Sequence, residues 1–553
     1  EYCHAMGNGP GDLEDYWEVI LADEHACGGF VWEWCDHTVL AGRDETGREI
    51  HLYGGDHGET VHDANFCVDG LVASDRTPHA GLLELKNVQR PARVVDYDQE
   101  RGLVTLRNDL DFTDLDQYVR LSYEVRCDGA VVESGPLELP GPVPPHSTVT
   151  LSCAPAVPDA GRCHLLITSR LRRQVPLLEP GHELGFDEIP LANADPRHRA
   201  VAKTLGPVTE ALEAGADVAA RPNGAVGGAD PAGAVGAGSA ADAGSAVGAG
   251  SAADAADAVR DGCETTLTGG DLTVVVDTRS GLPRSLRVGD RELLDRPMEL
   301  NIWRAPTDND RHIRRQWERA GYDRAGAQAY STRIIRRRGA VAVHAEMSVS
   351  ATALQPALRV RAVWTVTESG ELAVNLRARK SEGFPCLPRF GLRLFLPSSM
   401  HQVAYYGLGP GESYIDKHRS CHHDEFRTTV AELHEGCIRP QESGSRADCD
   451  YVALTEGADD ALELTAVGLR PFSFNVSAYT QEELTETAHD AELSPCGSTV
   501  LCLDGAMAGI GSASCGPELR PDYRVDEDAL GLDLVLLPLI SSPIPNSAHN
   551  EVN

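Results

Sequence analysis

Two stretches near the start of the chain decide the fold of its first part: EYCHAMGNGPG at residues 1–11 and GGFVWEWCD at residues 28–36. Between them, residues 11–21 place four apolar side chains at i, i+3, i+4 and i+7, the spacing of one helix face. These four are Leu13, Tyr16, Trp17 and Ile20. The second stretch is short, aromatic and β-branched and ends in an acid, which predicts a buried strand with polar residues at its C-terminal end. A helix followed by a buried strand is typical of an α/β barrel.

The first stretch also holds the strongest candidates for chemistry. Glu1 and His4 stand three residues apart and are followed by glycines that lead into the helix. In a barrel this is where a strand ends and its βα loop begins, which is the catalytic face. A carboxylate there can be a nucleophile, a general base or a metal ligand, or it can simply cap a turn or face solvent.

Composition excludes some classes of function. The 553 residues include 49 Lys+Arg and 84 Asp+Glu, a formal net charge of −35. This acid excess argues against nucleic-acid binding, which needs a basic surface, and against adhesion to anionic lipid. Nowhere do about 18 apolar residues follow one another, so no membrane span is predicted.

The cysteines and the first residue add two expectations. Fifteen cysteines, an odd number without a C-x-x-C pair, favour reduced thiols in the cytoplasm over a disulfide framework. The chain begins with Glu1 rather than Met, and no leader pattern precedes it, so we expect a fragment or a processed product.

From about Pro78 onward the pattern predicts strands alone. Residues 119–125 alternate apolar with polar side chains, and Asp128-Gly129 then offers a tight hairpin turn. We therefore predict a β-sandwich over residues 79–200, after a barrel segment over residues 1–78.

Strands return after a low-complexity segment. Residues 201–262 are rich in Ala and Gly, and the decapeptide AVGAGSAADA occurs at 234–243 and again at 246–255. Such a composition cannot bury enough surface to offset its ordering entropy, so we predict a disordered linker or insertion. Alternating apolar residues at 358–366 and 372–376 then predict a large antiparallel β-sandwich over residues 263–553.

Several long motifs, in order, closely resemble the large bacterial β-galactosidases of glycoside hydrolase family 2. The first, EYCHAMGN at residues 1–8, is similar to the EYxHAMGN signature of that family. The others are GGFVWEWCD at 28–36, YGGDHGETVHDANFCVDGLV at 53–72, DRTPH at 75–79, LNIWRAPTDND at 300–310, YYGLGPGESY at 405–414, FNVSAYTQEEL at 474–484 and GIGSASCGP at 509–517. The resemblance covers nearly the whole chain except the low-complexity segment.

The resemblance implies a fold and an activity. The fold is mostly β: a C-terminal piece of a (β/α)8 barrel, an immunoglobulin-like β-sandwich and a large antiparallel β-sandwich. The activity is hydrolysis of terminal non-reducing β-D-galactose residues in β-D-galactosides such as lactose, by a retaining mechanism with Glu1 as nucleophile. In the family, the acid/base carboxyl and most magnesium ligands lie upstream of this region, so the isolated chain is expected to be inactive. The complete protein is expected to be a cytoplasmic homo-oligomer that binds Mg²⁺ and Na⁺.

The resemblance also assigns the other site residues one at a time. His4 contacts sugar hydroxyls, and Trp32 is the aromatic platform under the galactose, whereas Trp34 is expected in the core. Phe66 and Asp69 match a Phe and an Asn beside the sodium ion and the sugar, and here the Asn is replaced by Asp. Cys515 stands among the substrate-binding positions, where some relatives carry a Trp that stacks on the departing sugar.

Two alternatives stay open. One is another family 2 activity, such as a β-glucuronidase or β-mannosidase, which the long C-terminal β-domain disfavours. The other is a non-catalytic β-rich subunit that completes an active site supplied by a second chain.

Overall fold

The computed structural model describes residues 1–205, 256–457 and 461–540. The described chain is mostly β and multidomain, as predicted: a barrel-like β–α–β segment, a seven-stranded sandwich and a large β-domain. None of the helices in these ranges is long and apolar enough to cross a membrane.

The first part of the chain forms a parallel β–α–β unit. Strand β1 (Cys3–His4) lies beside strand β2 (Val31–Trp32), with Cys3 opposite Val31 and His4 opposite Trp32. Helix α1 (Leu13–Ala22) connects them, close to the predicted residues 11–21. A hairpin of β3 (Val39–Arg43) and β4 (Glu49–Leu52) follows. The prediction of barrel-type order at the start of the chain is therefore confirmed.

The stretch at residues 28–36 differs from its prediction of a buried strand. Within it, only Val31–Trp32 forms a strand, Trp32 is 48% exposed and Trp34, expected in the core, is 59% exposed. Residues 33–35 pair through backbone hydrogen bonds with residues 69–72, which satisfies the backbone but leaves both indoles facing solvent. The predictions of a buried strand and of a core position for Trp34 are wrong for this reason.

A helix also interrupts the region predicted to hold strands alone. Helix α2 (Ala80–Val88) buries Gly81, Glu84 and Val88 along one face. The buried Glu84 carboxylate accepts hydrogen bonds from the backbone amides of residues 418–420 in the large β-domain. Because a carboxylate cannot be buried unless it is paired or hydrogen-bonded, α2 acts as a fixed joint between the barrel segment and that domain.

The sandwich has two antiparallel sheets of three and four strands, in the orders β5-β6-β9 and β11-β10-β7-β8. Their bounds are β5 Ala92–Asp98, β6 Leu103–Asn108, β7 Val119–Cys127, β8 Ala130–Leu137, β9 Thr148–Ser152, β10 Cys163–Leu171 and β11 Glu183–Leu191, and a short helix α3 spans Leu115–Tyr118. The predicted turn joins β7 to β8: Asp128 and Gly129 both have positive φ, at 49° and 80°, as a two-residue hairpin turn requires.

Both ends of the segment predicted as a linker are structured. Helix α4 (Arg199–Leu205) packs Val201 and Leu205 against the back of the large sheet, and β12 (Asp257–Asp261) pairs with the next strand. The segment predicted as a linker, residues 201–262, is therefore too long at both ends. At its start, Val201 and Leu205 lie four residues apart on one helix face, which lets both pack against the sheet. The prediction of disorder for the middle of the segment falls on residues 206–255, outside the described residues.

The large β-domain consists of a five-stranded and a twelve-stranded antiparallel sheet that share one apolar core. The first sheet contains β12, β13 Glu264–Gly269, β14 Leu272–Asp277, β15 Leu282–Val288 and β16 Arg291–Glu292. The second contains β17 Arg296–Asn301, β18 Gly326–Arg337, β19 Ala340–Ser350, β20 Leu358–Thr367, β21 Leu372–Lys380, β22 Arg389–Pro397, β23 Gln402–Gly409, β24 His422–Thr429, β25 Arg446–Thr455, β26 Leu462–Ser477, β27 Ser498–Met507 and β28 Ala529–Ile540. Short helices α5 (Arg314–Ala320), α6 (Val430–Leu433) and α7 (Gln481–Glu486) lie in its connections.

The alternation predicted for two of these strands is present in the structure. The apolar residues predicted for β20 and β21 are all buried: Leu358, Val360, Ala362, Trp364, Val366, Leu372, Val374 and Leu376. The indole Nε1 of Trp364 also donates a hydrogen bond of 2.8 Å to the carbonyl of Gly281, which joins the two sheets. A period of two side chains thus places one face of each strand in the core.

Candidate active site

Strand β1 (Cys3–His4) places Glu1, two residues before its first residue, and His4, its last residue, beside the same cavity. The Glu1 side chain is 45% exposed, and His4 is buried. The His4 Nδ1 atom lies 3.2 Å from Glu1 Oε1, so the imidazole holds one carboxylate oxygen and leaves the rest of the carboxylate open. A partly exposed carboxylate oriented by a buried group is suited to attack on a substrate.

Asp69 supports His4 from the opposite side. Its Oδ2 atom lies 3.5 Å from His4 Nε2 and accepts a hydrogen bond of 3.2 Å from Trp32 Nε1. Its Oδ1 atom is buried and has no hydrogen-bond partner among the residues that the structure describes. Burial raises the pKa of Asp69 to about 6, and the neighbouring His4 partly offsets that rise. Hydrogen bonds thus join Glu1 to His4 and Asp69 to Trp32, whereas Asp69 interacts with His4 through charge, since His4 Nε2 has no hydrogen-bond partner in the described part of the chain.

Trp32 and Phe66 give the site its aromatic surfaces. The Trp32 indole is about half exposed while its Nε1 is held by Asp69, so a ring face is available for stacking. The Phe66 ring lies 5.5 Å from the His4 ring, and the guanidinium of Arg311 lies 5.7 Å from its centroid. An apolar sugar face can stack on an exposed indole.

All six residues assigned from the sequence line one cavity of about 860 Å³. They are Glu1, His4, Trp32, Phe66, Asp69 and Cys515. Cys515 is exposed and comes from a loop of the large β-domain, so the cavity lies between that domain and the barrel segment. Residues from positions 1 to 515 are thus brought together, which no local sequence pattern could establish.

The sequence reasoning missed two residues that line the cavity and a third that packs on Phe66 behind it. Glu33 and His37 both line it, and His37 Nε2 lies 3.1 Å from Glu33 Oε1. Arg311 is held by the carbonyl of Ser514 at 3.0 Å while it packs on Phe66. The available signal for Glu33 was its position beside Trp32 at the end of a strand, whereas Arg311 reaches the site only through the fold.

The large β-domain also holds the loop that follows the candidate nucleophile. The buried Lys417 ammonium donates hydrogen bonds to the backbone carbonyl and side-chain oxygen of Asn8, at 3.0 and 2.9 Å, and pairs with Glu412. The backbone N–H of Asn8 donates a hydrogen bond of 3.1 Å to Gln441 Oε1. Gly7 has φ +60°, and a Cβ there would lie 2.4 Å from Gln441 Oε1. The loop therefore depends on contacts from more than 400 residues away.

Three family models match the chain in succession. Residues 1–94 match the TIM barrel domain of the glycosyl hydrolases family 2, and residues 104–192 match domain 4 of beta-galactosidase. Residues 268–536 match the beta galactosidase small chain. The matched ranges follow the barrel segment, the sandwich and the large β-domain of the structure.

Curated relatives match the chain over nearly its whole length. A beta-galactosidase of Actinobacillus pleuropneumoniae is 35% identical over 95% of this chain and 46% of its own length. Those of Staphylococcus xylosus and Arthrobacter sp. (strain B7) are 32% and 30% identical over 95% and 97% of this chain. The chain spans about half the length of the curated relatives it matches, between 46% and 49% for these three. With the three matched domains in order, the chain resembles the C-terminal half of the large β-galactosidases of glycoside hydrolase family 2.

Proposed function

We propose that the complete protein hydrolyses terminal non-reducing β-D-galactose residues in β-D-galactosides, and that this chain supplies the nucleophile side of the site. The observation that carries the proposal is the Glu1 carboxylate, which lies just before β1, lines the cavity and is held by His4. The relatives that match 95–97% of the chain are beta-galactosidases by name.

The proposed reaction is a double displacement. Glu1 attacks the anomeric carbon as the aglycone oxygen leaves, and a covalent galactosyl–Glu1 ester forms, which water then hydrolyses with retention. His4 keeps one Glu1 oxygen directed away from the sugar, and Asp69 fixes the His4 ring. The exposed Trp32 face stacks on the apolar face of galactose.

A retaining site needs a second carboxyl about 5 Å from the nucleophile, which protonates the leaving group. Of the other carboxylates on the cavity, Asp69 already holds Trp32 and His4, and Glu33 is next to His37. We therefore propose that the acid/base is supplied by residues outside this chain. The matched relatives are about twice as long as the chain, which leaves room for such a segment.

Two cations belong to the proposal. The buried, unpartnered Oδ1 of Asp69 is a hard oxygen of the kind that Na⁺ accepts, so the described residues fit a sodium ion beside Phe66. Such an ion would neutralise the carboxylate and help to position sugar hydroxyls. Among the described residues, no group of three carboxylate, His or Cys side chains suited to a metal converges on Glu1, so the proposed Mg²⁺ draws its ligands largely from elsewhere.

A second candidate role is supported by the match to a small chain over residues 268–536. In that case the polypeptide is a β-rich subunit that completes an active site supplied by another chain. The hydrogen bonds from Gln441 and Lys417 of the large β-domain to Asn8 are compatible with both roles, the single longer enzyme and the separate subunit.

The test is to express residues 1–553 alone and assay a chromogenic β-galactoside with and without the segment that precedes Glu1 in the longer protein. We expect turnover only when that segment is present. A 2-fluorogalactoside should then trap a covalent adduct, and mass spectrometry should place it on the peptide containing Glu1.

Glu1→Gln in the complete protein should abolish both turnover and trapping, while Glu24→Gln, an exposed substitution after α1, should leave them intact. Full activity of the isolated chain, or an adduct on another residue, would contradict the proposal.

A further inference from the structure

Three ligating side chains converge between the sandwich and the large β-domain, away from the Glu1 cavity. His164 lies on β10, Glu188 on β11 and His423 on β24. Each offers one ligand atom, and these atoms all lie within 4.8 Å of one another. Both histidines are buried and Glu188 is half-buried, and all three line a cavity of about 440 Å³. This cluster joins two domains that are separate in sequence.

His423 is held as metal-binding histidines are. Its Nδ1 lies 2.7 Å from Glu188 Oε2, and its Nε2 lies 2.8 Å from Asp448 Oδ2. A ligating histidine characteristically donates its other ring N–H to a carboxylate, which fixes the ring and the tautomer. Asp448 is itself held by Arg162 Nη2 at 2.6 Å, so this supporting carboxylate does not move freely.

His164 has the opposite property, an unused nitrogen. Its Nδ1 is buried and finds no hydrogen-bond partner within the described ranges. A buried polar atom without a partner costs free energy that a ligand can recover. The His164 ring stacks on that of His423 with centroids 4.4 Å apart and planes 1° from parallel. The lone pair of a ring nitrogen lies in the plane of its ring, so two parallel stacked rings do not both point at one ion. One of the two rings therefore tilts when both bind a common ion.

The donor set selects the class of ion. Two imidazole nitrogens and one carboxylate oxygen suit Zn²⁺ and its analogue Co²⁺, commonly with water as a fourth ligand. Mg²⁺ and Ca²⁺ prefer oxygen ligands throughout. Since the three side chains line a cavity, water there can complete the coordination.

We propose that His164, Glu188 and His423 bind one zinc-class divalent ion, which ties the sandwich to the large β-domain. The ion takes the place between Glu188 and His423 Nδ1, and His423 Nε2–H keeps its hydrogen bond to Asp448. The site is independent of the Glu1 chemistry, because none of its residues lines the Glu1 cavity.

The test uses the full chain freed of metal with a chelator and titrated with Co²⁺. We expect one tightly bound ion per chain, with the visible absorption of four-coordinate cobalt, displaced by Zn²⁺. The variants His164→Ala, Glu188→Gln and His423→Ala should each lose this band. Asp448→Asn, which removes the carboxylate charge that supports His423 and pairs with Arg162, should weaken binding by about 10–100-fold.

The matched control is His422→Ala, because His422 is the neighbour of His423 on β24 and lies outside the cluster. It should keep the band and the affinity. Circular dichroism of each variant separates loss of the ion from loss of the fold. A cobalt band that survives all three ligand variants, or no such band in the parent chain, would overturn the proposal. A ligand variant that unfolds is replaced by its milder form, His164→Gln or His423→Gln, and the same loss is required.

Discussion

Asp12 offers the sharpest test of how burial sets charge near the proposed site. It precedes α1 with φ 48°, is 4% exposed, and its Oδ1 has no hydrogen-bond partner in the described part of the chain. Its Oδ2 accepts a hydrogen bond of 3.3 Å from Ser512 Oγ. Burial, reinforced by the charge of the buried Asp416, raises the pKa of Asp12 from 3.8 to about 8.

The sign of the effect on stability follows from proton linkage. Between pH 4 and about 8 the folded chain holds a proton on Asp12 that the unfolded chain has released, so stability falls as pH rises through this window. At about 1.36 kcal/mol for each pKa unit, the full loss is on the order of 6 kcal/mol. Only the part of this window between pH 5 and pH 8 is sampled, and titration is half complete at the upper limit, so we expect a loss of roughly 3 kcal/mol between those two pH values.

Asp12→Asn should remove this dependence, because the amide stays neutral and Asn tolerates the left-handed backbone. The free energy of urea unfolding of wild type and variant is measured at pH 5 and at pH 8. The variant should gain roughly 3 kcal/mol on wild type between these two values. Asp23→Asn, an exposed substitution at the other end of α1, is the control and should follow wild type. If Asp12→Asn and wild type lose stability in parallel, the assignment of a buried, protonated Asp12 is refuted.

Three further predictions concern the site and the low-complexity segment. In the complete protein, Trp32→Ala should lower kcat/KM for galactosides about fivefold, the equivalent of about 1 kcal/mol of stacking, without lowering Tm, whereas Trp34→Ala should change neither. Burial raises the pKa of Asp69 to about 6, so activity should fall below that pH as the Asp69 charge that supports His4 is lost. Asp69→Asn should lower activity and abolish this fall in the pH profile. If the variant keeps the same fall in activity, another group causes it. Replacing residues 206–255 by a short Gly-Ser linker should leave the Tm unchanged, because this segment is dominated by Ala, Gly, Ser and Asp and has few large apolar side chains; a lowered Tm would show that it packs.

Local patterns predicted much of the secondary structure because they act through near neighbours. A strand alternates its side chains between two faces, so the residues of β20 and β21 that face the shared core could be identified, although Val363 and Ala373 on the other face are buried as well. The same holds for the turn at Asp128-Gly129, whose two positive φ angles suit these residue types. The motif at residues 1–8 likewise identified the candidate nucleophile.

The errors arose where burial depends on a distant partner. Trp34 is apolar and lies in a strand-like stretch whose backbone is paired with residues 69–72, yet its indole is exposed. Glu84 is charged and is nevertheless buried, because three backbone amides of residues 418–420 converge on its carboxylate. Sequence patterns give the preference of a side chain, whereas the packing of distant elements decides its environment.

The sequence by itself thus determined the resemblance to family 2 β-galactosidases and the mostly β fold, and it proposed the residues that could carry the chemistry. Only the tertiary structure decided that Glu1 and Cys515 share one cavity, that Lys417 fixes the loop at Asn8, and that Asp69 supports His4. The physical reason is that hydrogen bonds and ion pairs act over a few ångströms in space, irrespective of separation along the chain. Periodicity encodes which face of an element is apolar, but it carries no record of which distant side chain that element will meet.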